Sequence, residues 1–256
     1  MVETSKKMVD EETINDKIAE GESIEEELRA LFPRREGVVS LSDFMEHEGV
    51  KLLLTRSNEV LGFLGYTEHG FRHASIVAYR AWYILKKLLY DDRMCELAAI
   101  SGYLHDIGNV INRHFHEMHS VFLADTTMRD LGMPINERIE VMIAIGNHDE
   151  ITGEPVTPIG AAVIIADKSD VHRSRVRTPQ NIYEDIHDRV NYAAIDSELE
   201  VSEKRDEITL KIEIDTEISK VMEYFEIFTE RMKLCRRAAH RLGINFRINI
   251  NDIEIL

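Results

Sequence analysis

The stretch MCELAAISGYLHDI, residues 94–107, decides how this chain is read. Its apolar residues recur at three- and four-residue steps, which predicts a helix. That helix runs directly into two adjacent ionisable groups, His105 and Asp106. An ionised carboxylate is costly to bury unless a cation or hydrogen bonds compensate it. An apolar helix that ends in a His-Asp pair therefore implies that something charged meets it there.

The segments on either side keep the helical period. SIVAYRAWYILKKLL (75–89) and NERIEVMIAI (136–145) each present one apolar face, and Thr157-Pro158 reads as an N-cap with Pro at the first helical position, opening a helix through residue 167. Gly70, Gly108, Gly132 and Gly146 stand near the ends of these segments, where helix caps belong. Residues 41–180 are accordingly expected to form an all-helical domain. Before them, residues 1–40 are expected to be an acidic helical extension, with ten acidic and four basic side chains in the first thirty positions. Beyond residue 181 the period changes to two. Residues 198–201, 208–215 and 245–250 alternate as half-buried strands do, and a long amphipathic helix spans 218–242. A small α+β module of ββαβ order is expected over 181–256, so the fold class is mainly α.

Composition narrows the function. The chain has 256 residues, 47 Asp and Glu against 31 Lys and Arg, and a net charge of −16. Bulk nucleic acid, which requires a basic face, is an unsuitable partner. A phosphorylated ligand must then be small and met by a local positive cluster or a metal. The two cysteines cannot form a disulfide framework, and no run of about 18 apolar residues or signal core is present, so a cytoplasmic protein with no membrane partner is expected.

Seven of the eleven histidines fall between His69 and His148. His73, His105-Asp106, His119, His148 and Asp167 stand in order, separated by 32, 13, 29 and 19 residues. This arrangement resembles the H…HD…H…H…D pattern of the HD superfamily of metal-dependent phosphohydrolases, over roughly residues 65–175. The resemblance implies an all-helical HD domain in which His73, His105, Asp106 and Asp167 hold one metal. Asp106 would bridge to a second metal held by His119 and His148. The four-residue run Asn147-His148-Asp149-Glu150 leaves His148 or Asp149 as ligand, with His148 preferred. Imidazole and carboxylate donors suit a divalent transition metal (Fe, Mn, Zn or Ni). Two such ions imply in-line attack of a metal-bound hydroxide on phosphorus. The chain departs from relatives that carry HDxGK, having Asn109 in place of the lysine. It also lacks the GYP signature of the cyclic-dinucleotide branch, with Gly153-Glu154-Pro155 in a similar place.

Other residues are candidates for substrate contact. Lys168, Arg173, Arg175 and Arg177 form the one dense basic cluster, beginning beside Asp167; Lys168 is expected to act as a phosphate-binding charge and catalytic residue, the alternative being ion pairing with the acidic surface. His69, four residues before His73, can share its helix face and reach substrate or a further metal, and Asp149 adjoins the ligand run. His114 and His116 read as solvated loop histidines, one of them within reach of substrate, and Glu117 as a first-turn helix residue. The expected function is hydrolysis of a small phosphate mono- or diester. The alternatives are an HD-fold di-iron oxygenase and a non-catalytic nucleotide-sensing module. The exposed face and edges of the small sheet predict a homodimer closed through the C-terminal module.

Overall fold

The computed structural model describes residues 11–255. Residues 1–10 of the expected N-terminal extension lie outside the described residues. The chain is mainly α with a small C-terminal α+β unit. Its helices are α1 (Glu11–Ala19), α2 (Glu25–Leu31), α3 (Leu41–Glu46), α4 (Glu48–Phe63), α5 (Phe71–Lys87), α6 (Asp92–Leu104), α7 (His116–Asp130), α8 (Ile135–Gly146), α9 (Pro158–Ser169) and α10 (Ile186–Ala193). There follow β1 (Ala194–Val201), β2 (Glu207–Ile214), α11 (Val221–Arg241), β3 (Asn245–Ile250) and β4 (Ile253–Glu254).

Local chemistry explains the boundaries that matter for the site. Asp91 caps α6 by accepting the amide of Met94 at 3.0 Å, and Thr157 caps α9 by accepting that of Gly160 at 3.0 Å, with Pro158 at the first position. Every residue of α6 from Cys95 to Leu104 is buried, because α5, α8 and α9 pack around it. Beyond α6 a short 3₁₀ turn over Ile107–Val110 lies against α7. Gly108 makes that approach possible: a Cβ there would collide with the backbone of His116 and Ser120. The Gly108 amide instead donates to Ser120 Oγ at 2.8 Å.

The sheet has the order β1-β2-β3-β4, with β2 and β3 parallel across the α11 crossover and the other pairs antiparallel. β1 begins four residues earlier than the alternation indicates, because a register shift between Ala194 and Asp196 breaks the period of two there. α11 lies between the sheet and α9. Arg80 of α5 ties the module to the helical domain by donating to Ser169 Oγ and to the Ser197 carbonyl of β1. One apolar core runs from Ile14 through the helices to Ile250. The apolar face of the sheet is thus covered within one chain. Its other face is polar, with Lys211 2.6 Å from Glu200 and Arg247 2.7 Å from Glu207, and needs no apolar partner. Among the described residues no helix is long and apolar enough to cross a membrane.

Candidate metal centre

Helix ends deliver the ionisable side chains to one place. His73 lies in the first turn of α5, His105 and Asp106 follow the last residue of α6, His116 opens α7, His148 follows α8, and Asp167 lies in the last turn of α9. Three of these ends are helix C-termini, whose unsatisfied carbonyls carry partial negative charge and favour a cation.

The imidazoles are held in one orientation by a shared device. His105 Nδ1–H donates to the Gly102 carbonyl at 2.7 Å, His148 Nδ1–H to Ile145 at 2.6 Å, and His116 Nδ1–H to Arg113 at 3.1 Å. Each acceptor is three residues earlier, so a histidine at a helix boundary satisfies a nearby carbonyl with one nitrogen and offers Nε2 with the other. His73 Nδ1–H donates to Asp170 at 2.7 Å, and Asp170 is itself flanked by Arg72 at 3.3 Å and Arg175 at 3.6 Å. Such outer partners fix the tautomer and orientation of ligating histidines.

Asp106 faces two groups with its two oxygens. Oδ2 lies 3.4 Å from His105 Nε2 and 3.9 Å from His73 Nε2, and these two histidines lie 3.7 and 3.4 Å from Asp167 Oδ1. Oδ1 lies 3.3 Å from His116 Nε2 and 3.8 Å from His148 Nε2. Donor atoms about 2.1 Å from a tetrahedral or octahedral ion are separated by roughly 3.0–3.5 Å; the shorter spacings here, 3.3–3.4 Å, match that, and the others exceed it by 0.2–0.4 Å. Within each group two Nε2 atoms face each other, at 3.3 Å for His73 and His105 and 3.1 Å for His116 and His148. With both Nδ1 hydrogens engaged elsewhere, opposed lone pairs repel unless a proton or cation lies between them. The residues therefore fit metal ions. His116, Glu117 and Asp149 form a further buried group of potential ligands beside the second.

Electrostatics agree with this arrangement. Burial alone would raise the carboxyls of Asp106 and Asp167, yet His105 and, for Asp167, Lys168 hold both well below the usual range. Burial alone would lower His105, but the Asp106 and Asp167 carboxylates lift it to about 10, so without metal a proton occupies the place of a cation. Burial lowers His148, and it pushes His69 well below its ordinary value.

The structure brings together His73, His105, Asp106, His148 and Asp167. It departs from the expected ligand set at one residue, since His116, not His119, stands beside His148 and Asp106. Phe115 adopts a left-handed backbone, φ 61°, which starts α7 at His116 and turns that residue inward. His119, three residues on, has a buried Nδ1 with no partner. No sequence signal marks this shift, because it depends on where the helix begins. Asp170 was equally hidden; its spacing of three from Asp167 was its only mark.

The basic cluster also rearranges. Lys168 is committed to Asp167 at 2.6 Å and Glu150 at 3.0 Å, so it neutralises carboxylates and is not a free phosphate-binding charge. Arg173 stacks 5.4 Å from the Tyr192 ring and lines neither site cavity, and Arg177 is spent on Asn58 and the Tyr66 carbonyl. Arg175 lines the site, though it donates to the carbonyls of Glu68 and Asp170. His69 lines it too, its Nδ1–H held by the Thr67 carbonyl at 2.7 Å. Asp149 accepts from the Ile151 amide at 3.0 Å and groups with His116. A polar cavity of about 20 Å³ between the two groups adjoins a cleft of about 700 Å³, and His69, Arg113, His116, Glu150, Arg175 and Arg231 line both.

No family model matches the chain. It is 32% identical, over 198 residues covering 67% of its length and 74% of the relative's, to the uncharacterized protein MJ1020 of Methanocaldococcus jannaschii. The chain belongs to the family of that protein. The relative's name assigns no reaction to the centre.

Proposed function

We propose that this chain is a metal-dependent phosphohydrolase of the HD superfamily, cleaving a small phosphate ester at a centre of two divalent transition metals. The observation that carries the reading is Asp106, a buried carboxylate with one oxygen toward His73, His105 and Asp167 and the other toward His116 and His148. When bound there, the ions would supply Lewis-acid polarisation of a phosphoryl oxygen and a water of lowered pKa.

The protein's own groups provide the remainder. Asp170 fixes the tautomer of His73, and the helix-end carbonyls fix those of His105, His116 and His148. Lys168 holds the outer oxygen of Asp167 and keeps Glu150 ionised, well below the usual carboxylate range. His69, which burial keeps neutral and whose Nδ1–H is held by the Thr67 carbonyl, lines the cavity as a hydrogen-bond acceptor.

The test is elemental analysis of purified protein, then a panel of phosphate mono- and diesters assayed with the native metal, with and without O₂. Turnover of an ester without O₂ is expected. Turnover only with O₂ would favour the oxygenase, and tight nucleotide binding without turnover would favour a sensor.

A further inference from the structure

The cavity of about 20 Å³ is positive in an acidic molecule. Its three carboxylates are outnumbered by four cations, Lys168 and three arginines, in a chain of net charge −16. Lys168 and Arg175 are already committed to protein oxygens, as described above. Arg113 and Arg231 are not. Among the described residues Arg113 makes one hydrogen bond, to Asn109 Oδ1 at 3.3 Å, and lies 4.0 Å from Asp106. The sole ion pair of Arg231 among the described residues is a 3.5 Å approach of Nε to Glu150.

The two guanidiniums share a construction although they come from opposite parts of the chain. Arg113 stacks 5.6 Å from the centre of the Tyr66 ring, and Arg231 stacks 4.7 Å from that of Phe228. A ring against one face fixes the plane of a guanidinium and leaves its edge donors free. Both line the small cavity as well as the cleft, and both are partly buried, at 22% and 28% side-chain exposure. Planar, immobilised forks with spare N–H groups beside a metal-ligand cluster are suited to tetrahedral oxyanions.

We infer that Arg113 and Arg231 form a two-arginine clamp for the terminal phosphate of a phosphomonoester, and that α11 of the C-terminal module is thereby a working part of the site. This rests on the phosphohydrolase reading above. The positive lining favours the dianion of a monoester over the single charge of a diester. Arg231 and Phe228 belong to α11, so the C-terminal module then takes part in binding the substrate.

The test is calorimetric titration of inorganic phosphate, at pH 8, into the full chain loaded with Mn²⁺, with dimethyl phosphate as the monoanionic comparison. Wild type is expected to bind phosphate more tightly than dimethyl phosphate. Arg231→Gln and Arg113→Gln should each keep their metal content and lose about tenfold or more in phosphate affinity. Arg231→Lys, which keeps the charge without the fork, should fall between. Unchanged phosphate affinity in Arg231→Gln would overturn the clamp while wild-type binding and ester turnover left the phosphohydrolase standing. Equal affinity in Arg231→Lys and wild type would overturn its bidentate geometry. A metal-loaded wild type that binds no phosphate and cleaves no ester would remove both readings together.

Discussion

Replacing His116 and His119 separately distinguishes the ligand set given by spacing from that given by geometry. His116 Nε2 lies 3.1 Å from His148 Nε2 and 3.3 Å from Asp106 Oδ1, so it is one of three donors in the second group. Disturbing a partner that merely orients a ligand lowers metal affinity 10–100-fold, so removing the donor itself should cost at least ~100-fold. That is about 2.8 kcal/mol at 1.4 kcal/mol per tenfold. In the metal-free chain His116→Ala deletes the 3.1 Å hydrogen bond to the Arg113 carbonyl and the contacts of Nε2 with His148 and Asp106, a loss of about 1–3 kcal/mol, so folding is to be checked by a melting curve alongside. After dialysis against buffered free metal, elemental analysis of His116→Ala should show the second ion lost and the first retained. His119→Ala should retain both. The reverse pattern would refute the assignment, and with it the argument that Phe115 sets the register of α7.

Other perturbations give distinct readouts. His105, raised to about 10 in the metal-free chain against ~6.5 unfolded, contributes stability fully present below pH 6.5 and lost as pH rises toward 10. Asp106, Asp167 and Asp170 are lowered, so their contribution is present above ~4 and lost in acid. The Tm of chelator-treated protein should therefore fall from pH 7 to 10 while that of metal-loaded protein holds; parallel melting curves across that window would contradict this. Gly108→Ala forces a Cβ into the backbone of α7 and should cost about 3 kcal/mol or more, lowering Tm by ~6–12 °C, with a shift under 2 °C counting against the close approach. Lys168→Met removes the nearest cation of Asp167 and Glu150, leaving Glu150 only the 3.5 Å approach of Arg231, and should destabilise metal-free protein by about 2–3 kcal/mol in denaturant titrations. A loss below 1 kcal/mol would show that Lys168 is not their counterion.

The helices, and the part of the site that lies close to their ends, are legible in local sequence. The apolar period of residues 94–107 predicts α6, and a His-Asp pair at the end of a buried helix calls for a compensating charge, because an isolated buried carboxylate is too costly to keep. His73, His148 and Asp167 were legible for the same reason, as ionisable residues punctuating apolar helices. The strands of the C-terminal module were legible wherever the period of two was unbroken, and missed at Ala194–Ser197, where the pairing shifts. Packing in three dimensions chose which histidine of the 114–119 run turns inward, since this depends on one left-handed residue that no periodicity reveals. It placed Asp170 behind His73, across 97 residues of chain, and spent Lys168 on two carboxylates. It also brought Arg231 of α11 to the cavity at the helix ends, because the amphipathic α11 lays its apolar face on α9, which is buried almost throughout. Long-range pairing of that kind follows from which surfaces fit and has no local signature in the sequence.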